Sequence, residues 1–537
     1  MWRVLTWGSD GFNKSGMKAV ILVGWLLVVR AWSSAYGSPM AEAATNVVTY
    51  EAFGAVGDGV TDDLPAIRDA HAYANQHGLR VQSNPQATYH LGHRALTAII
   101  TTETDWGTSR FIIDDSQGVE DHAQPLFEVR SRLMPLPLKV DRLTRGQARL
   151  KLKPSSDCLV LVENKNRKVY IRRGLNQNEG SAQKEVFILR RDGSIEGGID
   201  WDYDVVTRVE AQPMDAETLK LRGGVFISIA NRMLADTGYH YWARNIRISR
   251  SRTEVDGVVL QVIGETDVGS PYGGFLNVEQ CADITLRNCV IAGRKTYQTM
   301  GQAGKPVSMG SYGYLANLVL NFKLVNFRME DIHDRKRWGV IGSNFMKNIL
   351  VEDCVLSRMD VHMGVSGDYL IRRSTLGHAG LNAVGKGRLI VEDSTLYGGN
   401  LIRFREDYGS TWDGEVLIRN SRWIPPVRQT TRPVMFGLQN GGTHNFGYPC
   451  SMPHVIRIEG LFVDDSNHPG AHLGIAFLGD PGGAARDKQP FPYHWTERIE
   501  VRDLKIASGV SPRVCSNPAV TRAVKLVQEP DPLPPKS

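Results

Sequence analysis

The chain has 537 residues, of which 42% are hydrophobic and 22% charged, and its formal net charge is +6. These proportions exclude a disordered chain and a protein that crosses a membrane many times, and so slight and dispersed a positive charge does not indicate binding to nucleic acid. The chain has 54 glycines, about 10% of its residues against a usual share of about 7%. This excess indicates many tight turns.

The first segment has the pattern of an export signal. Lys18 precedes the eleven apolar residues Ala19 to Val29, and small and polar residues follow them. Eleven residues are too few to cross a bilayer core of about 30 Å as a helix. They match the apolar region of a secretory signal, with a cleavage site at Ala41-Glu42-Ala43 or an earlier one ending at Gly37. We predict that residues 1–43 are the signal peptide and an upstream segment, and that the protein is secreted or periplasmic without stable membrane association. A buried helix and a single membrane anchor are the alternatives.

Residues 44–132 are predicted to form an N-terminal cap and the first coils of a larger body. A short strand, Val47 to Tyr50, precedes a turn rich in glycine and aspartate, Phe53 to Asp63. The apolar residues that follow recur at helical spacing, with Pro65 near the first turn and Gly78 at the end. This pattern predicts a capped helix rather than a phosphate-binding loop, because no G-x-G-x-x-G or Lys-Ser/Thr motif is present.

The same stretch resembles the start of the pectate-lyase superfamily, whose members begin FGAxGDGxTDDTxAIxxAI and carry a later PxGxYxL. The matching residues are Phe53 to Asp63, Ala66-Ile67 and Pro85 to Leu91, with Gln86 and Ala87 in place of the usual glycine-containing version. The resemblance implies a right-handed parallel β-helix whose end is closed by the helix. The superfamily contains lyases, hydrolases, epimerases and phage tailspikes, so the resemblance does not select a substrate.

A strand-like phrase recurs along the second half of the chain. Successive copies end at Cys354, Ser374, Ser394 and Ser421. The spacing between neighbouring copies, called the step below, is therefore equal twice and then longer. A period of roughly 20 residues, built from short strands and glycine-rich turns, is typical of solenoids, and the regular L-x-x-L-x-L pattern of leucine-rich repeats is missing. The copies are Asn245–Ile248, Asp283–Leu286, Asn348–Cys354, Tyr369–Ser374, Arg388–Ser394, Val416–Ser421, Val455–Glu459 and Ile499–Asp503.

These patterns predict an all-β fold, a right-handed parallel β-helix solenoid with an N-terminal capping helix and a β-rich insertion. The insertion is predicted at residues 133–233, where the repeat is lost. Residues 234–510 are predicted to form the β-helix coils with a catalytic groove, and residues 511–537 a C-terminal tail with a disordered Pro-rich end. The longer steps between copies are coils with inserted loops, where binding surfaces are usually built.

Alternation along the strands predicts which side chains leave the solenoid, since successive residues point to opposite faces. If Met359, Val361 and Met363 point inward, Asp360 and His362 point outward together.

The same argument turns Asn382 outward, close in register to His362, and turns Arg403 and Arg405 outward on the next coil. Coils stack about 4.8 Å apart, so these residues are predicted to form one polar strip. A ladder of solvated polar residues is the alternative.

Such a strip suits an acidic sugar. Removing the proton at C5 of a uronate requires that its carboxylate be neutralised as charge builds on the enolate, and arginine binds carboxylates through two hydrogen bonds. We predict that His362 transfers the proton, that Asp360 tunes it or binds substrate, and that Arg403 and Arg405 hold the carboxylate. The further substrate-binding candidates are Asn382, His378, Lys386, Arg337, Glu406 and Asp407.

A shorter stretch is similar to the alginate C5-epimerases of the same fold. Their pattern is D-P-H-D/E, then L-x-I-R, then N-G-x-H-G, and the matching segments are Asp360–His362, Tyr369–Arg372 and Gly377–Gly380. By this resemblance Asp360 and His362 match the catalytic pair and His378 lies near a later histidine. Val361 replaces the proline and Met363 the acid, and the Gly377–Gly380 segment is shifted by a residue, so the resemblance favours abstraction of a uronate proton more than epimerisation itself.

The prediction is therefore cleavage of a uronate-containing polysaccharide, most simply by β-elimination. The alternatives are hydrolysis by two carboxylates, C5-epimerisation, and a non-catalytic glycan-binding protein. The carboxylates available for hydrolysis are Asp331, Asp334, Asp360, Glu406 and Asp407. Some β-helix lyases use Ca²⁺, but the sequence shows neither a tight cluster of oxygen ligands nor a paired C-x-x-C among its six cysteines, so no metal or other cofactor is predicted. The sugar, the linkage and the oligomeric state are not readable from the sequence.

Overall fold

The computed structural model describes residues 46–233, 241–301, 303–337, 343–482 and 488–528. The predicted export signal at 1–43 and the Pro-rich end at 529–537 lie outside these residues and stay predictions. The described residues from Val47 onward belong to one unit. No helix within these described ranges is long and apolar enough to cross a membrane.

The N-terminal part contains the predicted helix, α1 (Leu64–His77), with a proline in its first turn and Gly78 at its C-terminus in the left-handed region at φ 68°. Asp63 does not cap the helix with its side chain; its carboxylate accepts the Val56 N–H at 2.7 Å and ties down the preceding turn. The Leu64 N–H is bound instead by Asp62 Oδ1 at 3.2 Å. The strands here are β1 (Val47–Val48), β2 (Asp58–Asp62), β3 (Arg80–Gln82), β4 (Thr88–Leu91), β5 (Ala98–Ile100), β6 (Thr104–Asp114) and β7 (Phe127–Val129), with a 3-10 turn at Glu51–Phe53.

Four strands between residues 158 and 213 form a separate antiparallel sheet in the order β10-β9-β8-β11. They have a small hydrophobic core of their own, which includes Val160, Phe187 and Leu189. We call this sheet and its connecting loops the insertion. Its strands are β8 (Cys158–Val169), β9 (Ser181–Leu189), β10 (Ile195–Glu196) and β11 (Arg208–Pro213).

The remaining strands continue the solenoid to the end of the described chain, apart from two minor two-stranded pairings. They are β12 (Leu219–Ile229), β13 (Ile246–Ile248), β14 (Thr253–Asp256), β15 (Val259–Ile263), β16 (Gly273–Arg287), β17 (Val290–Ile291), β18 (Thr296–Met300), β19 (Pro306–Gly310), β20 (Tyr312–Val325), β21 (Arg328–Met329), β22 (Ser343–Glu352), β23 (Val355–Arg372), β24 (Thr375–Ala383), β25 (Gly385–Glu392), β26 (Thr395–Tyr397), β27 (Ile402–Phe404), β28 (Trp412–Ile424), β29 (Val434–Gly437), β30 (Cys450–Ser451), β31 (Val455–Val463), β32 (Ala476–Leu478), β33 (Tyr493–His494), β34 (Arg498–Ile506) and β35 (Lys525–Gln528). Short helical elements lie at Glu406–Tyr408, Ala471–Leu473 and Pro518–Ala523.

Parallel pairing from one coil to the next defines the fold. Among the described residues, 27 strands belong to one continuous sheet. Val351 pairs with Ile371 and Ile371 with Val391, which is the same equal step that the sequence shows, and Val391 pairs with Ile418 after the longer step. All four side chains are fully buried. The prediction of an all-β parallel β-helix is confirmed.

A ladder of small polar residues locks the turns of the same coils together. The Cys354 N–H donates to Ser374 Oγ at 3.0 Å, the Ser374 N–H to Ser394 Oγ at 3.0 Å, and the Ser394 N–H to Ser421 Oγ at 3.2 Å. Each hydroxyl satisfies a backbone donor of the preceding coil that would otherwise be buried without a partner. The recurring serine in the repeat is therefore a structural residue.

Two predicted boundaries differ from the structure. Strand β12, inside the range 133–233 predicted as insertion, pairs in parallel with β6 and with β14, so the solenoid resumes by Leu219. Strand β35, inside the predicted tail 511–537, pairs in parallel with β34 and adds a last rung. Neither segment carries a clear copy of the repeat.

Candidate active site

The predicted alternation of side chains along β23 holds from Met359 to His362 and breaks after it. Met359 and Val361 are fully buried in the solenoid core, and Asp360 and His362 lie on the opposite face. Val361 pairs with Ser343, but Met363 pairs with Asn344 after a register shift, and the Met363 sulfur accepts a hydrogen bond from Ser181 Oγ of the insertion at 3.2 Å, so the prediction that Met363 points inward is wrong. Facing outward does not make Asp360 exposed, however, because its side chain is fully buried. The groups that cover it define the site.

Asp360 lies at the centre of a group of charged side chains. Its Oδ1 and Oδ2 accept hydrogen bonds from Nη1 of Arg405 at 2.9 and 2.8 Å. Oδ2 also contacts Nη2 of Arg358 at 2.5 Å and Nε2 of His362 at 2.8 Å. The His362 side chain is 22% exposed. A substrate can therefore touch the imidazole, whereas Asp360 acts only through its neighbours.

The charges set the protonation of this pair. Burial opposes ionisation of Asp360, but the charges of Arg358 and Arg405 outweigh it and hold the pKa of Asp360 well below its ordinary value. Burial lowers the pKa of His362, and the nearby Arg405 adds to this effect, while Asp360 opposes it only in part. At neutral pH Asp360 is therefore an anion and His362 is neutral.

This protonation state fixes the tautomer of His362. An ionised carboxylate only accepts hydrogen bonds, so Nε2 of His362 carries the proton that Asp360 binds. Nδ1 then keeps its lone pair. Among the described residues, the imidazole ring makes its hydrogen bond through Nε2, to Asp360. A neutral imidazole held in one tautomer by a carboxylate is suited to act as a general base.

Asp407 extends the charged group to a third arginine. Arg405 donates to it through Nε at 2.9 Å and Nη2 at 2.7 Å, and Arg172, from the chain just after β8 of the insertion, contacts Oδ2 through Nε at 2.8 Å and Nη2 at 2.7 Å. Although burial opposes ionisation, Arg405 and Arg172 hold the pKa of Asp407 below its ordinary value. The Tyr408 ring lies 5.1 Å from the Arg172 guanidinium and 5.3 Å from that of Arg405. We call these residues the Asp360 cluster: Arg172, Arg358, Asp360, His362, Arg405 and Asp407.

The outward strip is real, but its register differs from the prediction. Asn382 pairs with Asp360 and not with His362, and Arg403 pairs with Asn382 on the following coil. The cause is a register shift between Leu356 and Arg358, which adds two residues to β24 and lengthens the local step by the same amount. Asn382 is buried and donates to the Ala379 carbonyl at 3.1 Å.

Arg403 and Glu406 lie at the exposed rim of the site. Arg403 Nη2 donates to Glu406 Oε1 at 2.8 Å, and the two side chains are 52% and 43% exposed. Arg403 is thus open to a ligand, while Arg405 is committed to two carboxylates.

His378 lies in the two-residue bulge of β24. Its Nδ1 and its backbone N–H both contact the Ile332 carbonyl, at 2.9 and 3.0 Å, and burial lowers the pKa of His378. A Cβ on Gly377 would lie 2.1 Å from the same carbonyl oxygen, so glycine is required where this loop approaches. The contacts of His378 are with the loop and not with the Asp360 cluster.

Lys386 is held by the insertion. Its Nζ donates to the Asp200 carbonyl at 2.8 Å and lies 3.8 Å from the centre of the Trp201 ring, and burial lowers the pKa of Lys386. Nearby, the buried Lys347 pairs with Glu185 at 2.6 Å and with Asp200 at 3.2 Å. Lys386 and Lys347 therefore fasten the insertion to the coils, in contrast to the predicted binding role of Lys386.

Arg337 belongs to another group of charges. It contacts the Gly293 carbonyl, and it pairs with Glu265 at 3.4 Å, Asp334 at 3.7 Å and Asp331 at 4.0 Å. These partners join three loops of the earlier coils and include no member of the Asp360 cluster.

Sequence reasoning missed two members of the cluster. Arg358 has the same parity as Asp360 and was within reach of the alternation argument. Arg172 was not, because it lies in the insertion, outside the repeat, and nothing in its local sequence indicates which coil it meets.

Within the part of the chain that the structure describes, neither cysteines nor metal ligands form a second centre. The six cysteines all lie among the described residues, and each is buried and free. Over the same ranges no group of three or more His, Cys, Asp or Glu side chains is placed to hold a metal ion.

Comparison with known proteins agrees with the fold. No protein-family model matches the chain. A depolymerase of Klebsiella phage P510, described as specific for capsule KL64, is 33% identical over 94 residues, which cover 16% of this chain and 9% of that protein. The chain thus matches less than a tenth of the length of this curated relative.

Two solved structures extend over most of the chain. Tailspike gp61 of Pseudomonas phage phi297 has a TM-score of 0.55 and 14% identity, covering 90% of this chain and 84% of its own. Tailspike gp49 of Pseudomonas phage LKA1 has a TM-score of 0.47 and 14% identity, covering 89% and 84%. With the coil-to-coil parallel pairing described above, the likeness to gp61 identifies the chain as a parallel β-helix protein, as its resemblance to the pectate-lyase superfamily implied.

Proposed function

We propose that this protein is an exported enzyme that cleaves a uronate-containing polysaccharide by β-elimination. The apolar segment before residue 44 supports export. A polysaccharide substrate is supported by the partial likeness to a phage capsule depolymerase and by a charged site on the outer face of a β-helix. The observation that carries the proposal is the imidazole of His362, whose Nε2 is bound to an ionised, arginine-held Asp360.

The proposed reaction begins with Nδ1 of His362 taking the proton at C5 of the uronate. The electron pair of that C–H bond forms the C4–C5 double bond, and the bond from C4 to the glycosidic oxygen breaks. The leaving oxygen must be protonated, by water or by the imidazolium that has formed. Asp360 stabilises that imidazolium without touching the substrate.

Charge in the site favours an acidic sugar. With His362 neutral, the Asp360 cluster holds three guanidinium groups against two carboxylates, so the formal charges of its six residues sum to +1. This charge stabilises the enolate that forms when the C5 proton leaves. The proposal assigns the carboxylate of the substrate to Arg403, which is exposed at the rim, and Arg405 contributes through its charge.

Hydrolysis is less well supported, because it requires one carboxylic acid that stays protonated near neutral pH. Asp360 and Asp407 are both paired with arginines, and the pKa of each is held below its ordinary value. Neither is suited to donate a proton to a leaving group.

The test is an assay of products over a panel of uronate polymers, such as polygalacturonate, alginate, hyaluronan and acidic capsular polysaccharides. β-Elimination yields a chain end with the ultraviolet absorbance of an unsaturated uronate. New reducing ends without that absorbance would establish hydrolysis, and a changed sugar composition without new ends would establish epimerisation.

His362→Ala is expected to lower the rate by about 10²- to 10⁴-fold, the usual contribution of a general base. His454→Ala is the matched control, because His454 also pairs with a carboxylate, Asp413, at 3.1 Å but is 43% exposed. Equal activity in the two variants would remove His362 from the mechanism. Export is tested separately by sequencing the N-terminus of the protein recovered from a secreting host, where a start after Ala43 is expected.

A further inference from the structure

The loop of the insertion that follows β8 extends from the antiparallel sheet and contacts the outer face of the coils. The Ile171 N–H donates to the Phe446 carbonyl at 3.0 Å, and the Arg173 N–H donates to the Asp407 carbonyl at 3.1 Å. The backbone is therefore fixed to the solenoid on both sides of Arg172. These two hydrogen bonds fix the backbone of Arg172, whose side chain reaches the Asp360 cluster.

Tyr170 anchors the start of this segment. It is buried, its ring meets those of Phe345 and Tyr448 at centroid distances of 5.6 and 4.8 Å, and its φ of 55° is in the left-handed region that non-glycine residues rarely adopt. A Cβ on Gly364 would lie 1.7 Å from the Tyr170 hydroxyl oxygen, so the coil leaves room for this ring only because residue 364 is glycine. Such strain persists only where the surroundings enforce one conformation.

Arg172 determines the net charge of the cluster. Without it, the charges of Arg358 and Arg405 are balanced by those of Asp360 and Asp407, and a neutral His362 adds none. With Arg172 the cluster carries one positive charge that no carboxylate in it compensates. Of the three guanidinium groups in the cluster, Arg172 is the one that the insertion supplies.

The Arg172 guanidinium does not use all of its donors on Asp407. Among the described residues, its side-chain hydrogen bonds and ion pairs use Nε and Nη2, both on Oδ2 of Asp407, which leaves the Nη1 amino group outside the contacts with that carboxylate. Its side chain is 14% exposed, comparable with the 11% of Arg405. A guanidinium forms charge-assisted hydrogen bonds with a carboxylate in a fixed geometry.

We infer that Arg172 is a substrate-binding residue, through which the insertion supplies one of the positive charges that hold the uronate carboxylate at the site on the coils. The inference rests on the proposed function for the class of substrate. It assigns the insertion a part in recognition in addition to its attachment to the coils through Lys347 and Lys386.

Binding is measured by calorimetry in a His362→Ala background, so that turnover is slow, with oligosaccharides of polygalacturonate, alginate and hyaluronan as probes. Adding Arg172→Met is expected to weaken binding of the probe that binds best by about 10- to 100-fold, the effect of losing a hydrogen bond to a charged group. Arg172→Lys, which keeps the charge, is expected to lose less.

Arg173→Met is the matched control, because Arg173 is the next residue but its side chain turns away, donating to the Gln439 carbonyl at 2.8 Å and lying 5.5 Å from the Phe446 ring centre. It is expected to leave binding unchanged. A second control is the same oligosaccharide with its carboxyl groups reduced to alcohols, which the proteins with and without the Arg172→Met change are expected to bind equally.

Equal binding of the acidic probe by the Arg172→Met and Arg173→Met proteins would overturn the inference, as would a loss by Arg172→Met that persists with the reduced probe, or no binding of any acidic probe. If the expected pattern is found while the wild-type protein releases no unsaturated product, the role of Arg172 stands and β-elimination falls. Thermal unfolding of each variant shows whether a loss of binding reflects a loss of fold.

Discussion

Asp360→Asn is the most informative single change, because it removes one charge from the centre of the site while keeping the shape of the side chain. In the wild-type protein the carboxylate receives hydrogen bonds from Arg405 at 2.9 and 2.8 Å, from Arg358 at 2.5 Å and from His362 at 2.8 Å. After the change, two buried guanidinium groups face an amide in place of an anion.

The expected loss in the free energy of unfolding follows from these partners. Breaking a buried ion pair by neutralising one partner costs about 3–5 kcal/mol. Arg405 keeps Asp407 as a partner through two hydrogen bonds, so we expect the lower end, about 3 kcal/mol. The control is Asp368→Asn, which breaks an exposed pair with Arg388 whose side chains are 49% and 62% exposed and which is expected to cost about 1 kcal/mol or less.

The effect depends on pH in a defined direction. The pKa of Asp360 is lower in the folded than in the unfolded protein, so its ionised form stabilises the fold above the unfolded value of about 3.9, and this stabilisation is lost as the pH falls through the folded pKa. The difference in the free energy of unfolding between the wild-type protein and the variant is therefore largest near pH 7 and decreases below about pH 4.

The assay is urea unfolding of both variants at a series of pH values, with activity measured beside it. An amide either donates or accepts, so it no longer selects the tautomer of His362, and we expect kcat/KM to fall by about 10²-fold or more. A loss in unfolding free energy no larger than that of Asp368→Asn, or a difference that grows in acid, would refute the reasoning about the buried charges.

Three further predictions concern the same surface. Lys347→Met removes a buried cation that Glu185 and Asp200 share at 2.6 and 3.2 Å; we expect a loss of about 3–5 kcal/mol and faster proteolysis of the insertion, and unchanged cleavage would contradict its fastening role. Gly364→Ala places a Cβ 1.7 Å from the Tyr170 hydroxyl at a φ of +73°. We expect this overpacking to lower the free energy of unfolding by about 1–3 kcal/mol and to lower the Tm, and an unchanged Tm would contradict the packing. Because the pKa of His362 is lowered and a base must be neutral, kcat/KM should fall with acid only below the ordinary histidine value of about 6.5, and a midpoint above it would contradict the assignment.

The coils were predictable because the chain repeats itself. The equal steps of the repeat predicted the register from Val351 to Ile371 to Val391, and the structure has those pairs. Alternation along β23 then separated Asp360 and His362 from the inward Met359 and Val361 without any knowledge of the loops, and it failed at Met363, where the register shifts. Both arguments use properties of the strand that recur at every coil.

Departures from the regular coil account for the errors. The shift in β24 moved Asn382 from the level of His362 to that of Asp360, and a pattern averaged over coils contains no signal for a local bulge. Lys386 had the right parity for the strip, yet it is covered by Trp201 of the insertion. Contacts between segments distant in sequence determine these positions, and periodicity does not report them.

The same contacts decide how strong the charges of the site are. On a bare solenoid the outward face of β23 would be in water, where ion pairs contribute little. Asp360 differs, because Arg358, Arg405 and His362 contact its carboxylate and its side chain has no exposed surface. In such surroundings an unsatisfied charge is costly and a satisfied one is strong. The charges of Arg358 and Arg405 lower the pKa of Asp360 although burial raises it, and the ionised carboxylate holds His362 in one tautomer. The insertion adds Arg172, which binds Asp407, so the charged group combines side chains of the coils with one from a segment outside the repeat.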